Sequence, residues 1–483
     1  MNFAAVIRFV GALCLLLGVT MLLPLAWAVG LDERRALYGL VVSIGICWLA
    51  GGALFFAGHQ GREGLLRREG LAVVGLGWFL AAVAGALPYV LSNAIPNPVD
   101  AFFESMSGFT TTGASILDNV ESLPRSILFW RDFTHWLGGM GIIVLFIAVL
   151  PHIGVGARYL FRSEIPGATK EAVTPRIKDT ALFLWITYTA LTLVELVLLR
   201  VAGMTWFDAS CHTFGTMATG GFSTRQASIG AYDSLWVEVI IIVFMILAGT
   251  NFALYRPLVR RRFGAVLGDR EWRAYIGILG VGSAVVALNL ILGPHGRPLG
   301  EGVRQGVFQV VSIASTTGYT TADFDHWPAL SRLILLALMF VGGCSGSTGG
   351  SMKVMRVVVL VRFGWTAVEK IFRPHAVTAI RMGDRVLSDD LVREILAFFV
   401  LFIAIFLVSS LALAAMGIDL VSSISGVAAS LGNVGPALGG LGAGETYAAV
   451  PAAGKILLTI CMLLGRLEVY TILVLFSPAF WRR

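Results

Sequence analysis

Long apolar runs constrain this chain more than any other feature. A helix needs about 20 apolar residues to cross a hydrocarbon core roughly 30 Å thick. Ten stretches of that kind lie near residues 5–30, 37–58, 71–92, 127–150, 179–202, 234–256, 273–293, 331–361, 394–416 and 454–480. Backbone polar groups in lipid must bond within their own segment or within a closed barrel, and runs this long and continuous fit helices. The fold class is therefore an all-α polytopic membrane protein. The composition agrees, because 57% apolar and 13% charged residues leave too little polar surface for a water-soluble domain.

The formal net charge of +7 acquires meaning only when mapped onto the loops. Lys and Arg gather in alternate loops: Arg62, Arg67 and Arg68; then Arg158, Arg162, Lys170, Arg176 and Lys178; then Arg256 to Arg273; then Lys353 to Arg393. The intervening loops are poor in them, with Arg225 alone between residues 203 and 232. This alternation is the positive-inside pattern and not a nucleic-acid surface, and it predicts that both termini are cytoplasmic. Arg8, an apolar run and Ala26-Trp27-Ala28 have the layout of a secretory signal. The run is longer than the 7–15 apolar residues such signals use, which points to an uncleaved first helix. Cys14, Cys47, Cys211, Cys344 and Cys461 lie in or beside apolar segments without paired spacing, so neither a disulfide framework nor a zinc site is indicated. No phosphate-binding glycine loop occurs. No acid–base, nucleophilic or metal-binding cluster recurs at one membrane depth, which argues against an enzyme, including one acting on a lipid.

A repeat runs through the outer loops, and a repeat fixes architecture. Each holds a short apolar segment followed by a small-residue stretch centred on a glycine. The stretches are Thr111-Thr112-Gly113-Ala114, Ala218-Thr219-Gly220-Gly221, Thr316-Thr317-Gly318-Tyr319 and Asn433-Val434-Gly435-Pro436, centred on Gly113, Gly220, Gly318 and Gly435. The unit is helix, half-helix, return strand, helix, four times over, after a two-helix extension. The corresponding divisions are 1–70 for the extension and 71–170, 171–270, 271–390 and 391–483 for the repeats. The half-helices start near Asp100, Asp208, Glu301 and Asp419, where an acid complements the positive end of a helix dipole. Each would turn a negative end, worth roughly half an elementary charge, toward its glycine. Non-helical backbone at membrane depth survives only inside protein or along a water-filled cavity. Four such stretches therefore predict one shared cavity, and rings of their carbonyls can replace a cation's hydration shell.

Two features lie beyond the four glycine stretches. Gly342-Gly343-Cys344-Ser345-Gly346-Ser347-Thr348-Gly349-Gly350-Ser351 interrupts the eighth run with ten residues lacking any large side chain. Each glycine costs about 1 kcal/mol relative to alanine in a helix interior, so the segment reads either as an unwound plug or as a close helix-packing seam. Arg466 lies in the last run with Glu468 two residues on. A charge at that depth costs at least about 2.5–3.5 kcal/mol unless it faces water or a partner, so Arg466 faces the pore or belongs to a structural pair.

The fourfold unit, the stretch Ser315-Thr316-Thr317-Gly318-Tyr319-Thr320 and the extra helix pair before residue 70 resemble the Trk/Ktr/HKT superfamily of cation transporters, specifically its TrkH branch, over the whole length. The resemblance implies gated, channel-like potassium uptake, with potassium as cargo and no covalent cofactor. It implies that Gly113, Gly220, Gly318 and Gly435 are selectivity-filter glycines and that the residues before them supply ion-coordinating carbonyls. It implies a homodimer with one pore per protomer, gated by a cytosolic TrkA-like ring of regulatory subunits that bind the nucleotide, ATP/ADP or NAD. Under it, Gly342 to Ser351 is an intramembrane loop obstructing the pore, and Arg466 is an electrostatic barrier in the conduction path. The fourth stretch departs from Thr-Gly, which leaves a sodium-permeable or ion-coupled symporter as the alternative.

Overall fold

The computed structural model describes residues 1–59, 67–141, 177–293, 296–373, 380–382 and 385–481. Arg62 and the basic cluster Arg158, Arg162, Lys170 and Arg176 lie outside the described residues, as does the run beyond residue 141 in the fourth apolar stretch.

The described residues are helical apart from loops and one two-residue antiparallel pairing of Arg381–Met382 with Arg385–Val386. The N-terminal extension is a helical hairpin, Phe3–Thr20 with Leu22–Gly30 against Arg34–Ala57. Its two long helices touch through small residues: a Cβ at Gly11 would lie 2.7 Å from the Gly51 carbonyl oxygen, and one at Gly51 would lie 2.9 Å from that of Gly11. In lipid there is no hydrophobic drive between apolar helices, so such close backbone approach supplies the attraction.

Four units follow. Each begins with a long apolar helix: Arg67–Leu91, Ile177–Val201, Arg270–Leu292 and Asp389–Ala415. These leave large side chains such as Ile186, Val201, Leu292 and Leu411 exposed, a surface that suits lipid and would aggregate in water. A shorter helix comes next in each unit: Pro98–Phe109, Trp206–Ala218, Leu299–Ala314 and Leu420–Leu431. These re-entrant helices start where the acidic signals lie. The side chains of Asn97, Thr205 and Asp419 accept from the N–H groups of Val99, Asp208 and Ser422, while Glu301 sits in the first turn of the third. The Ser422 hydroxyl and N–H hold the Asp419 carboxyl below its ordinary range, keeping the cap ionised.

The closing helix of each unit is shorter than its apolar run suggests. These helices are Arg125–Gly139, Leu235–Ala248, Ala329–Leu338 and Ala452–Arg466. The chain turns by 94° after Ala248 and by 113° after Arg466, and in the third unit it resumes as Val354–Phe372 beyond a loop. Among the described residues, six helices meet the length and hydropathy of a membrane span, or eight counting each bent pair as one. In the second, third and fourth units the continuous second span expected from the apolar run is thus a broken one. A cause of the breaks is visible at Gly138 and Gly465, which press on the Phe109 and Leu431 carbonyls at the ends of their own re-entrant helices, where a Cβ has no room. Hydropathy does not register that contact.

Gly11→Val should overpack the N-terminal hairpin at a cost of about 1–3 kcal/mol. The expected result is a lower thermal midpoint for the detergent-solubilised protein; an unchanged midpoint would contradict the close seam.

Candidate functional site: a ring of four glycine turns

Each re-entrant helix ends in the same way. Thr111, Thr219, Thr316 and Asn433 adopt left-handed backbone angles, with φ of 53°, 55°, 64° and 53°. The next residue then donates its N–H back to the fifth carbonyl before it: Thr112 to Ser107 at 2.9 Å, Gly220 to Gly215 at 2.7 Å, Thr317 to Ser312 at 2.9 Å and Val434 to Ala429 at 2.8 Å. This is the Schellman closure of a helix. A left-handed residue normally is glycine or asparagine, and a left-handed conformation costs other residues roughly 1–2 kcal/mol each. Three β-branched threonines there mark strain that the surroundings must hold.

The residue after each donor is a glycine with positive φ: Gly113 at 80°, Gly221 at 79°, Gly318 at 82° and Gly435 at 98°. A Cβ added to any of them would come within 2.6 Å of a carbonyl oxygen in another unit. The pairs close a cycle, Gly113 on the Gly220 carbonyl, Gly221 on Thr317, Gly318 on Val434 and Gly435 on Thr112. Four segments distant in sequence therefore meet around one axis, and all four of these glycines line one vestibule.

The cycle corrects one register. Sequence grouped Ala218-Thr219-Gly220 with the other stretches, but the repeated left-handed residue is Thr219 and the repeated glycine is Gly221. Ala218 is the last helical residue and corresponds to Thr110, Ser315 and Gly432. Gly220 takes the place of Thr112, Thr317 and Val434. Two consecutive glycines hid the offset, and helix closure resolves it.

Side chains under the ring differ by unit. Thr110 and Thr112 share a hydroxyl hydrogen bond at 2.8 Å, as do Ser315 and Thr317. The Asn433 amide donates to the Thr112 hydroxyl at 3.0 Å and to the Met462 carbonyl at 2.9 Å.

The small-residue loop follows Leu338 and lies against the same helix ends. The Gly350 N–H donates to the Thr316 hydroxyl at 2.8 Å, and a Cβ at Gly350 would meet the Gly432 carbonyl at 2.5 Å. Gly349 approaches the Ser315 carbonyl, while Gly343 approaches Gly249, whose carbonyl accepts from the Cys344 N–H at 2.8 Å. Gly342 and Gly346 have φ of 75° and 74°. The Ser347 hydroxyl donates to Cys344 at 2.6 Å and that of Thr348 to Ala248 at 3.2 Å. Lys353 is buried and donates to the Gly349 carbonyl, and Glu271 accepts from the Ser345 N–H at 2.6 Å. The segment is an irregular, heavily bonded loop and not a helical seam.

Arg466 joins these parts. Its guanidinium donates to the Thr111 hydroxyl at 3.0 Å, the Thr348 carbonyl at 2.7 Å, and the Gly138 and Gly139 carbonyls at 2.5 and 2.9 Å. The local pairing with Glu468 does not form. Glu468 pairs with Arg356 at 2.7 Å instead, because the helix ends at Arg466 and Glu468 lies in the turn beyond it, with a left-handed φ of 56°.

The TrkH cation transport protein family matches residues 40–277 and 295–483. The chain belongs to the TrkH family. It is 39% identical to the "Trk system potassium uptake protein TrkH" of Halomonas elongata and 40% identical to that of Escherichia coli K12, in both cases over 100% of either chain. The "Trk system potassium uptake protein TrkG" of Escherichia coli K12 is 33% identical over 98% of this chain and 97% of its own. The crystal structure of the potassium transporter TrkH from Vibrio parahaemolyticus superposes with a TM-score of 0.89 at 38% identity, covering 100% of both chains.

In this TrkH-family chain the geometry brings together every filter stretch, the loop and Arg466. Sequence reasoning took Gly220 rather than Gly221 as the repeated glycine, and it missed Lys353 and Glu271 as site residues. The Gly220-Gly221 pair was the available signal for the first, and the adjacency of Lys353 to the glycine loop for the second. Glu271 carried none, because its loop contacts are tertiary.

Gly221→Ala should lower rubidium influx into proteoliposomes about tenfold or more through overpacking of the ring. Wild-type influx per folded protein would show that the repeated glycine lies elsewhere.

Proposed function

We infer that this protein is the potassium-translocating subunit of a Trk-type uptake system, a multi-pass protein of the bacterial cytoplasmic membrane. The observation that carries the reading is the closed cycle of four glycines against four carbonyls. It explains why small backbone, and not charged side chains, is gathered at the axis. Carbonyl oxygens of Thr112, Gly220, Thr317 and Val434, with those of Thr111, Thr219, Thr316 and Asn433 behind them, compensate a dehydrated cation without a fixed charge to trap it. Four re-entrant helices add their negative ends from behind.

Gating belongs to the loop of Gly342, Gly343, Gly346, Ser347, Thr348, Gly349 and Gly350 together with Arg466. The loop hangs from filter residues by main-chain and hydroxyl bonds, and Arg466 ties it to Thr111, so opening must exchange these bonds for others. The cationic guanidinium also opposes cation passage while it remains there. Both termini face the cytoplasm, in keeping with the basic inner loops. The assembly is a homodimer with one pore per protomer, controlled by a cytosolic TrkA-like ring. The regulatory nucleotide, ATP/ADP or NAD, binds that ring, as the resemblance to the TrkH branch implies.

Expression in a bacterial strain lacking its own uptake systems should restore growth at low potassium, and Gly318→Ser should lose the rescue or its selectivity. Absence of rescue by well-inserted wild-type protein together with its regulatory subunit would overturn the assignment. Removing a repulsion of about 2 kcal/mol, as between unit charges some 8 Å apart at an effective dielectric of about 20, raises flux about tenfold or more. Arg466→Ala should therefore leak rubidium faster into proteoliposomes, and an unchanged or slower leak would remove the barrier role.

A further inference from the structure

Nine residues before each repeated glycine, the re-entrant helices carry Glu104, His212, Gln309 and Gly426. Three of these side chains reach the return strand of their own unit. Glu104 accepts from the Ser115 hydroxyl at 2.9 Å and the Ile116 N–H at 3.0 Å. His212 Nε2 lies 2.9 Å from the Ser223 hydroxyl, and Gln309 donates to the Tyr319 carbonyl at 3.2 Å. In the fourth unit the neighbouring Ser425 takes over, accepting from the Leu438 N–H at 3.0 Å.

Only the first of these struts is charged. Arg131 Nε donates to Glu104 at 2.6 Å, with the two side chains 3% and 0% exposed. The same guanidinium donates through Nη1 to the Ser223 carbonyl at 3.2 Å and covers the Phe222 ring at 3.4 Å. Ser115 and Ser223 each stand two residues beyond a repeated glycine. The pair therefore bridges the return strands of the first and second units, at the junction where Gly113 presses on the Gly220 carbonyl.

Burying two charges costs more than their attraction returns unless hydrogen bonds use their remaining capacity. Here that capacity is directed at the backbone bordering the ring. Arg131 also lines the vestibule, where Glu104 neutralises a charge that would otherwise repel an entering cation.

We propose that Arg131 and Glu104 are positioning residues that fix the spacing of the first and second filter strands and thereby set discrimination between potassium and sodium. This rests on the filter reading above. Charge-assisted bonds hold geometry more stiffly than neutral ones, and selectivity by either cavity size or carbonyl field needs the oxygens held. Arg131→Lys keeps the charge but lacks the planar fork that spans Glu104 and Ser223, so it separates positioning from net charge.

The test is rubidium uptake by proteoliposomes containing the full chain, competed with potassium and with sodium. The readout is the ratio of the two inhibition constants, which the amount of folded protein does not move. Arg131→Lys and Glu104→Gln should each reduce that ratio about tenfold, the scale of a lost bond to a charged group. Ser115→Ala, which removes a single bond and leaves the pair in place, should reduce it by a smaller factor and serves if the other two fail to fold. A wild-type ratio in the folded variants, with a reduced ratio in Gly318→Ser, would overturn the positioning role and leave the filter reading intact. A wild-type ratio in Gly318→Ser as well would overturn both.

Discussion

Everything in this structure depends on four backbones coming closer together than any side chain would allow. A glycine from each unit presses on a carbonyl oxygen of another unit, and the contacts close into a cycle. Bare carbonyl oxygens crowded together repel, so the arrangement holds only because each turn is locked by helix closure behind it and by the return strand in front. The long apolar helices exposed to lipid supply the frame that presents four buried re-entrant helices to one axis. Membrane architecture elsewhere avoids irregular backbone; here it is concentrated where a water-filled path can satisfy it.

The strain in the ring is also its link to the loop below. Left-handed threonine is costly, and two of the three are engaged by the elements assigned to gating: Thr111 accepts from Arg466, and Thr316 accepts from the Gly350 N–H. A shift of the loop or of Arg466 removes a bond from a residue already held in an unfavourable conformation. The glycine ring and the loop are thereby joined through two hydroxyl groups. Thr219, whose hydroxyl bonds the neighbouring Ala218 carbonyl, has no such tie to the loop among its hydrogen bonds, so the attachment is unequal around the ring.

Much of this was legible in the sequence, because lipid leaves few solutions. Apolar run length gave the long first helices, and acids at Asp100, Asp208, Glu301 and Asp419 marked the re-entrant starts. Glycine recurrence marked the ring, and the missing bulk between Gly342 and Ser351 marked the loop. What escaped was set by contacts between distant segments. The breaks after Ala248 and Arg466 fall inside apolar runs that hydropathy reads as single spans. The offset to Gly221 follows from the helix closing at Thr219, which a pair of glycines leaves ambiguous. The partners of Arg466 come from the first and third units and not from Glu468 two residues on. The Glu104–Arg131 pair joins residues that carry no mutual spacing signal.

The most direct test of the account is crystallographic: anomalous scattering from rubidium or thallium soaked into crystals of the protein. The account predicts density on the axis enclosed by the Thr112, Gly220, Thr317 and Val434 carbonyls, lost when sodium replaces the heavier ion. Heavy-ion density confined to the outer vestibule or to side-chain carboxylates, with none inside the carbonyl ring, would contradict it.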